Sequence, residues 1–391
     1  MAASTKWALA IGCAITVANL YYVQPLLAVM ASEFGVREAQ IGTAATLAQV
    51  GYAIGMLTII PLGDIQERRS LILLTVLATA VTAVIIAFSP NFTVLCAGFL
   101  LLGIASCTPQ LLVPFAAALA KPGERGSVVG FVMSGLLLGI LLARTASGLV
   151  GEHFGWRAVF FGAAALELLT GAALLFLLPK SRTPHAAMKY REALASLPAL
   201  IREEPVLRES MWYGAFLFAA FSAFWTTLSF HLRTMGLGEQ IAGYFGLVGA
   251  AGALAAPIAG KLADKGGPRK TILLSILLAL LSFGIMAPGI VALLVVGVLL
   301  MDVGVQACQV TNQSRFYSLR PEARSRMNTV YMTAYFIGGS LGSALGSWAW
   351  AMMRWTGVCI VSAIFCLAAL GVYFITARKP SSRVSGEKAG D

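Results

Sequence analysis

Residues 61–71 read PLGDIQERRSL, and residues 260–270 read GKLADKGGPRK. Asp64 in the first stretch precedes Asp264 in the second by 200 positions, and both stretches interrupt long apolar runs. A charged loop that recurs at a fixed offset indicates that the chain contains two copies of one structural unit.

Other positions support the same duplication. Six further pairs keep an offset of 199 or 200: Arg69 with Arg269, Ile72 with Ile272, Pro122 with Pro321, Arg125 with Arg324, Gly139 with Gly338, and Trp156 with Trp355. The longest connection rich in charge and proline, residues 179–209, lies between the copies. We therefore predict two homologous units, 1–178 and 210–376, joined by the linker 179–209 and followed by a tail, 377–391.

The composition excludes most soluble classes. Of the 391 residues, 58% are hydrophobic and 12% are charged, whereas soluble domains carry about 25% charged residues. A soluble chain of this length cannot bury so much apolar surface. A soluble enzyme, a disordered regulator and a nucleic-acid binder are all disfavoured, and a membrane protein is predicted.

Twelve runs are long and apolar enough to cross a bilayer as helices, which takes about 20 residues each. Period-2 alternation is missing, which disfavours a β-barrel. The predicted fold is an all-α membrane protein with twelve transmembrane helices in two pseudo-symmetric six-helix bundles. The predicted spans are 7–31, 40–62, 71–88, 92–119, 127–150, 158–178, 210–232, 241–262, 271–287, 290–317, 327–350 and 358–376.

The net charge of +11 is explained by an excess of basic residues in the loops on one side of the membrane. If both termini share one side, 23 of the 28 Lys and Arg residues lie there, and Arg144 lies within a span. The positive-inside rule then places both termini in the cytoplasm. We expect a multi-pass protein of the bacterial inner membrane. The four basic residues expected on the opposite side are Arg37, Arg157, Arg233 and Arg354.

These loops resemble the signature G-x-x-x-D-[RK]-x-G-R-[RK] of the major facilitator superfamily. The second copy keeps Gly260, Asp264, Lys265, Gly267 and Arg269, whereas the first has Ile60 and Glu67 in place of its glycines. The stretches NLYYVQPLL, LLLGILLARTASG, FGWR and EARSRMNTVYMTAYFIGGSLG look like a bacterial branch of drug and sugar exporters. The resemblance covers almost the whole chain and implies a central cavity lined by spans 1, 4, 7 and 10.

The charged loops are candidates for a cytoplasmic gate. Arginines here can reach the loop aspartate or the C-terminal ends of neighbouring helices, and contacts that exist in only one conformation bias alternating access. The alternative is that these charges only set the topology. The predicted gate residues are Asp64, Arg68, Arg69, Asp264, Lys265 and Arg269.

Span 10 carries a polar stripe formed by Asp302, Gln306, Gln309 and Gln313. At 100° per residue, these side chains fall within an arc of about 60°. Such groups avoid lipid, so we expect them to face a hydrated cavity or another helix. Asp302 is the predicted proton-coupling residue, and a static ion pair or packing hydrogen bond is the alternative.

Two other charges lie inside apolar spans. Arg144 in span 5 is a candidate partner of Asp302 or of an anionic substrate group, or it only extends toward the surface. Many exporters of the resembled family carry an arginine in span 4, where this chain has Phe99. Glu167 in span 6 is expected to form a structural pair with a neighbouring helix.

Further polar and aromatic side chains complete the predicted substrate cavity. The aromatic residues of span 7 could hold a flat apolar solute, although such residues more often pack in the core or face lipid. Glycines at four-residue spacing are expected to let helices approach closely. Besides the glutamines of span 10, the predicted cavity residues are Asn19, Tyr22, Gln110, Phe221, Trp225, Asn328, Tyr331 and Tyr335.

The favoured function is secondary active transport by alternating access, with proton-coupled efflux of small organic solutes, drug-like or sugar-like. Uptake of a small metabolite by proton symport or facilitated diffusion is the alternative. Signatures of metalloproteases, serine hydrolases and P-loop ATPases are missing from the sequence, which disfavours an enzyme. We expect no cofactor, metal or nucleic acid, and a monomer in the lipid bilayer that handles protons and a small-molecule substrate.

Overall fold

The structure is a computed structural model, and it describes residues 2–121, 124–180, 190–249, 267–317, 319–320 and 323–377. It confirms the all-α membrane fold. Among these residues, ten helical stretches are long and apolar enough to span a bilayer: Ala3–Glu33, Glu38–Gly63, Arg68–Ala87, Phe92–Leu119, Ser127–Phe154, Trp156–Leu177, Pro205–Thr234, Pro268–Met286, Val291–Tyr317 and Arg326–Thr376.

Helices of the first half have the following bounds: α1 Ala3–Ala18, α2 Val23–Glu33, α3 Glu38–Thr58, α4 Arg68–Ala87, α5 Phe92–Ala105, α6 Thr108–Leu119, α7 Arg125–Phe154 and α8 Trp156–Leu177. A short 3₁₀ turn, Ile60–Asp64, follows α3.

In the described part of the linker and the second half there are six helices: α9 Tyr190–Glu203, α10 Pro205–Thr234, α11 at 239–249, α12 Pro268–Met286, α13 Val291–Tyr317 and α14 Arg324–Ala377. Helix α14 contains two spans, because the backbone breaks at Arg354 with φ 53°. The predicted eighth span, 241–262, is described only through its first nine residues. The predicted count of twelve spans is consistent with this arrangement.

Two spans of the first half are broken near their middle. In the first span, α1 ends at Ala18 and α2 begins at Val23. Pro25 has no N–H group for the carbonyl four residues earlier, which explains a break at this point. The span Phe92–Leu119 is divided in the same way between α5 and α6, with Pro109 in the first turn of α6.

Glycines allow the closest helix contacts, as expected. A Cβ atom on Gly139 of α7 would lie 2.2 Å from the carbonyl oxygen of Ala14 in α1. The pseudo-symmetric Gly338 of α14 would place a Cβ atom 2.1 Å from the carbonyl oxygen of Ala215 in α10. Any side chain would force these helices apart. The same helix pairing therefore recurs in each half.

The halves meet at the end of the bundle where α2, α7 and α10 finish, here called the far end. Thr145 of α7 donates a hydrogen bond to the carbonyl oxygen of Gly243 in α11 at 2.9 Å. A Cβ atom on Gly148 would lie 2.5 Å from the carbonyl oxygen of Glu239. Helices α7 and α11 are thus in backbone contact across the two halves.

A second contact between the halves runs along α3 and α14. Gln49 donates a hydrogen bond to Ser343 at 2.8 Å, and Thr226 of α10 donates to the same hydroxyl oxygen at 2.9 Å. Nearer the far end, Glu38 accepts hydrogen bonds from Trp350 at 2.6 Å and from Arg354 at 3.1 Å. Both sets of contacts hold the far end closed.

The opposite end, here called the near end, is where α1 begins and α14 ends. The linker helix α9 lies across it and contacts both halves. Tyr190 donates a hydrogen bond to the carbonyl oxygen of Thr58 at 2.9 Å. Arg320 pairs with Glu203 at 3.0 Å and with Glu204 at 2.7 Å. The linker therefore ties the halves together on the side of the termini.

Candidate functional site

Arg144 lies in the interior between the halves, with 1% of its surface exposed. Its Nε donates a hydrogen bond to Oε1 of Gln24 at 2.6 Å. Three aromatic rings surround the guanidinium carbon, at 3.9 Å for Trp225, 4.8 Å for Tyr21 and 5.6 Å for Phe221. Because aromatic faces attract cations, these rings stabilise the buried charge.

Asp302 of α13 is 2% exposed and lies near the same indole ring. A Cβ atom built on Gly249 would lie 3.0 Å from Oδ2 of Asp302 and 3.3 Å from Cζ2 of Trp225. Asp302 and Arg144 are close enough for their charges to interact. Trp225 is thus a neighbour of both ionisable groups.

Three polar atoms around Trp225 are buried without a hydrogen-bond partner among the described residues. They are Nη2 of Arg144, Oδ2 of Asp302 and Nε1 of Trp225 itself. A buried polar group that is left unpaired costs about 1–3 kcal/mol. Because α7, α10 and α13 each supply one of these atoms, the arrangement offers donors and an acceptor to a polar group bound between the halves.

An aromatic surface on α10 continues from this point toward the near end. Phe218 stacks on Tyr335 with ring centres 3.9 Å apart, and on Phe221 with centres 5.5 Å apart. Tyr335 donates a hydrogen bond to Oε1 of Gln309 at 3.3 Å. Two predicted cavity residues, Tyr335 and Gln309, are therefore brought together beside Phe218.

Other predicted cavity residues of α13 and α14 lie along the same line, from Trp225 toward the near end. Gln306 and Gln313 are half-buried, whereas Tyr331 is fully buried with its ring centre 6.0 Å from that of Tyr335. The amide stripe of α13 thus runs beside the aromatic rings. Apolar and hydrogen-bonding surfaces lie side by side, which is typical of small-molecule sites.

Gln110 and Asn328 connect the halves closer to the near end. The Asn328 side-chain amide donates a hydrogen bond to Oε1 of Gln110 at 3.3 Å, and Tyr317 donates to Oδ1 of Asn328 at 2.9 Å. Both amide side chains are half-buried. These two predicted cavity residues therefore touch each other across the space between the halves.

Asn19 and Tyr22 lie farther from Asp302, on the side of α8. The Asn19 amide donates a hydrogen bond to Oε1 of Glu167 at 2.6 Å. Tyr22 is 8% exposed and lies close enough for the charge of Glu167 to act on it. Glu167 has a partner on a neighbouring helix, as the sequence predicts.

The charged loops occupy equivalent positions in the two halves. Arg69 donates a hydrogen bond to the carbonyl oxygen of Leu175 near the end of α8. Arg269 donates to the carbonyl oxygen of Thr376 near the end of α14 at 3.0 Å. Each arginine therefore holds the C-terminal turn of the last helix of its own half, where the helix dipole favours a cation.

Other predicted gate residues are described only in part. Nε of Arg68 donates a hydrogen bond to the carbonyl oxygen of Gly63 at 2.9 Å. Asp64 ends the 3₁₀ turn, and its side chain lies outside the described part of the chain. Asp264 and Lys265 also lie outside the described residues.

Several residues at the site are not singled out by sequence reasoning. Tyr21 and Gln24 contact Arg144 because the break between α1 and α2 turns both toward α7. Gln49 bonds to Ser343 across the halves. The sequence feature that identifies Gln24 and Gln49 as candidates is a carboxamide side chain within an apolar span, as at Gln110.

Within the ranges that the structure describes, no group of three or more His, Cys, Asp or Glu side chains is placed to hold a metal ion. All six cysteines are free. The chemistry available at the site is therefore that of a carboxyl group, a guanidinium group, amides and aromatic rings.

Comparison with known proteins shows one family. A profile described as "Major Facilitator Superfamily" matches residues 9–316 and 245–390. The chain is 41% identical to "Uncharacterized transporter YgaY" of Escherichia coli O157:H7, over 94% of both chains. It is 35% identical to "Probable transporter SCO4007" of Streptomyces coelicolor, over 90% of this chain and 83% of that one.

Solved structures share the fold at low sequence identity. A bacterial homologue of the human lysosomal transporter Spinster, in an inward-facing and unoccupied conformation, matches with a TM-score of 0.75 at 17% identity. The match covers 96% of both chains. The nucleoside transporter NupG matches with a TM-score of 0.73 at 16% identity, over 96% of this chain and 100% of that one.

Proposed function

Because the chain belongs to the major facilitator superfamily and is a membrane transporter of that type, we propose that it exports small organic solutes in exchange for protons. The observation that carries this proposal is the buried group formed by Arg144, Trp225 and Asp302 between the halves. A carboxyl and a guanidinium group in one low-dielectric site can link proton binding to solute binding.

Asp302 is the proposed proton carrier. Removing a carboxylate from water disfavours its charged form, so a buried carboxyl group takes up a proton when the cavity opens to the more acidic side. The positive charge of Arg144 attracts the ionised carboxylate. The balance between these two effects lets Asp302 exchange protons as access to the cavity alternates.

Asp302 and Arg144 together are the proposed link to the solute. When Asp302 is ionised, its carboxylate accepts hydrogen bonds from donor groups of the solute, and the charge of Arg144 keeps it ionised. When Asp302 binds a proton, that proton occupies the acceptor position and the solute is released. Proton and solute then exclude each other, which is the thermodynamic requirement for exchange.

The proposed solutes are small organic molecules with a flat apolar part and polar substituents. The rings of Phe218, Phe221 and Tyr335 form the apolar surface, and the amides of Gln309 and Gln110 provide hydrogen bonds. Drug-like and sugar-like molecules both meet this description.

Alternating access is proposed to open the far end and the near end in turn. The paired arginines Arg69 and Arg269, with Arg68, Asp64, Asp264 and Lys265 in the same loops, are proposed to act as the cytoplasmic gate by holding the last helix of each half. The excess of basic residues on the near end supports a cytoplasmic location of both termini in a bacterial inner membrane. We propose that the monomer is the working unit.

The energy available is sufficient for concentrative export. One proton that moves inward across 100 mV yields about 2.3 kcal/mol, and each pH unit adds about 1.4 kcal/mol. A single carboxyl group that carries one proton per cycle can therefore sustain a gradient of several hundred-fold, as an order of magnitude.

The test is solute-evoked proton movement in liposomes that contain the purified protein and an internal pH-sensitive dye, with protein-free liposomes as the control. Exchange predicts that adding a transported solute on one side moves protons in the opposite direction. Protons that move with the solute would show symport, and solute movement without protons would show facilitated diffusion. Either result would replace this proposal with the uptake alternative.

A further inference from the structure

A second buried carboxyl group lies away from the site around Trp225. Glu167 of α8 has 0% of its surface exposed, and its partner Asn19 has 1% exposed. The Asn19 amide donates to Oε1 of Glu167 at 2.6 Å. Both residues lie inside the membrane-spanning part of the first half, and the proposed exchange at Asp302 does not use them.

The break of the first span explains the position of Asn19. This residue directly follows α1, and its amide also contacts the carbonyl oxygens of Ile15 at 3.2 Å and Thr16 at 3.3 Å. These carbonyl groups are left open where the helix ends. One carboxamide therefore joins the end of α1 to the carboxyl group of Glu167.

The site has open oxygen positions. Oε2 of Glu167 and Oδ1 of Asn19 are buried without a hydrogen-bond partner among the described residues. Oγ1 of Thr170, one turn further along α8, is also buried without a hydrogen-bond partner among the described residues. An unpartnered carboxylate oxygen in a low-dielectric interior is strongly destabilised unless it binds a cation or a proton.

Cationic side chains on the surrounding helices have other partners. Asn19 donates the hydrogen bond to Glu167, and Tyr22 is the titratable group close by. The described charged side chains of α1, α2, α4 and α7 contact other groups: Lys6 with Phe131, Glu33 with Arg157, Arg68 with Gly63, Arg69 with Leu175, Arg144 with Gln24, Glu152 with Gln240, and His153 with Phe154.

We propose that Glu167 and Asn19 form a second proton-binding site, at the break between α1 and α2. A proton on Oε2 neutralises the carboxyl group while Oε1 keeps the hydrogen bond from Asn19. A sodium ion is the competing occupant, because broken helices coordinate Na⁺ in other transporters through unwound carbonyl groups and side-chain oxygens. The Asn19 N–H group directed at Oε1 disfavours sodium, because a hydrogen-bond donor already occupies one of the two carboxylate oxygens.

This second site is connected to the first by a short segment of chain. Asn19 contacts Glu167, while Tyr21 and Gln24, two and five residues later, contact Arg144. A change in the charge of Glu167 acts on the position of Asn19 and thereby on the break that carries both Arg144 contacts. The proposal goes beyond the exchange at Asp302, because proton binding by Glu167 is measurable without any transported solute.

The test is infrared spectroscopy of the purified protein in liposomes during a pH titration. A protonated carboxyl group gives a C=O band that is separate from the bands of ionised carboxylates. We expect one such band to lose intensity as the pH rises, to be missing in Glu167→Gln, and to persist in Asp302→Asn. Glu152→Gln, which alters an exposed carboxyl group, is the matched control and should keep the band.

A second variant keeps the carboxyl group in place. The hydrogen bond from Asn19 to Oε1 favours the ionised form of Glu167. Asn19→Ala removes this hydrogen bond. The titration midpoint of the band should therefore move to higher pH by about one unit. This readout remains available if Glu167→Gln fails to fold.

Three results would overturn the proposal. They are a band that does not change with pH, a band unaffected by Glu167→Gln, and a band that disappears at constant pH when NaCl replaces KCl. The last result would assign the site to sodium. Because no solute is present, each outcome is independent of whether Asp302 couples export to protons.

Discussion

The guanidinium carbon of Arg144 lies 3.9 Å from the centre of the indole ring of Trp225, and the two residues belong to opposite halves of the chain. In the same structure, α7 and α11 are packed together at the far end. Gly246, in α11, would place a Cβ atom 2.8 Å from Cβ of Arg144. The position of the buried charge is therefore tied to the closure between the halves.

Replacing the planar guanidinium group should weaken solute binding. Arg144→Lys keeps the charge but loses stacking on Trp225 and the directed bond to Gln24. A desolvated cation–π contact is worth about 2 kcal/mol. We expect the solute concentration for half-maximal transport to rise at least about tenfold.

Arg157→Lys is the matched control for that measurement. Arg157 also stacks on a tryptophan, with its guanidinium carbon 4.3 Å from the ring centre of Trp156, but it is partly exposed and pairs with Glu33. Arg157→Lys should change the solute concentration for half-maximal transport by less than about twofold. Equal effects of the two variants would contradict the assignment of Arg144 to the solute site.

Adding one methyl group at the α7–α11 contact should open the far end. A Cβ atom on Gly148 would lie 2.5 Å from the carbonyl oxygen of Glu239, a backbone atom that cannot move without shifting α11. Gly148→Ala should therefore increase the distance between spin labels placed on the far ends of α7 and α11. Gly130→Ala on the same helix meets nothing within 4 Å and should leave that distance unchanged. Identical label distances in Gly148→Ala and the unmodified protein would refute the role of this contact.

Closure of the far end should depend on pH through Glu239, the first residue of α11. Burial and the neighbouring carboxyl group of Glu152 raise the pKa of Glu239, while the charge of Arg233 lowers it. When Glu239 moves from an open, hydrated state to the closed state, its pKa rises. The group therefore stabilises closure below its ordinary pKa, and this contribution is lost as the pH rises through the raised value.

The same pair of spin labels measures this effect during a pH titration. We expect the open population to increase with pH in the unmodified protein, because two ionised carboxylates then face each other across the halves. In Glu239→Gln the increase of the open population with pH should be clearly smaller. An unchanged pH dependence in this variant would assign the effect to another group.

Helical periodicity and charge distribution predict the fold because each span must satisfy its own backbone in lipid. The stripe of Asp302, Gln309 and its neighbours is predictable for the same reason, since a polar face on an apolar helix must turn inward. The contact of Arg269 with the end of α14 is also predictable, because the charged loop is duplicated and a helix C-terminus favours a cation.

Other contacts depend on geometry that periodicity does not contain. The break between α1 and α2 directs Tyr21 and Gln24 toward Arg144 and Asn19 toward Glu167. Counting residues from the outer end of each helix gives Arg144 and Asp302 depths that differ by about 9 Å. It does not reveal that Trp225 from a third helix contacts Arg144 and lies near Asp302. Tertiary packing of broken helices determines these relationships, so the sequence alone does not specify them.

The proton-carrying role of Asp302 is measured most directly by comparing two kinds of transport by Asp302→Asn in liposomes. One is exchange of labelled for unlabelled solute at equal concentrations, and the other is accumulation driven by a pH gradient. The neutral amide keeps the size of the side chain, so we predict that exchange persists while proton-driven accumulation is lost. Asp302→Glu, which retains a carboxyl group, should recover part of the accumulation. Undiminished proton-driven accumulation by Asp302→Asn would contradict the account.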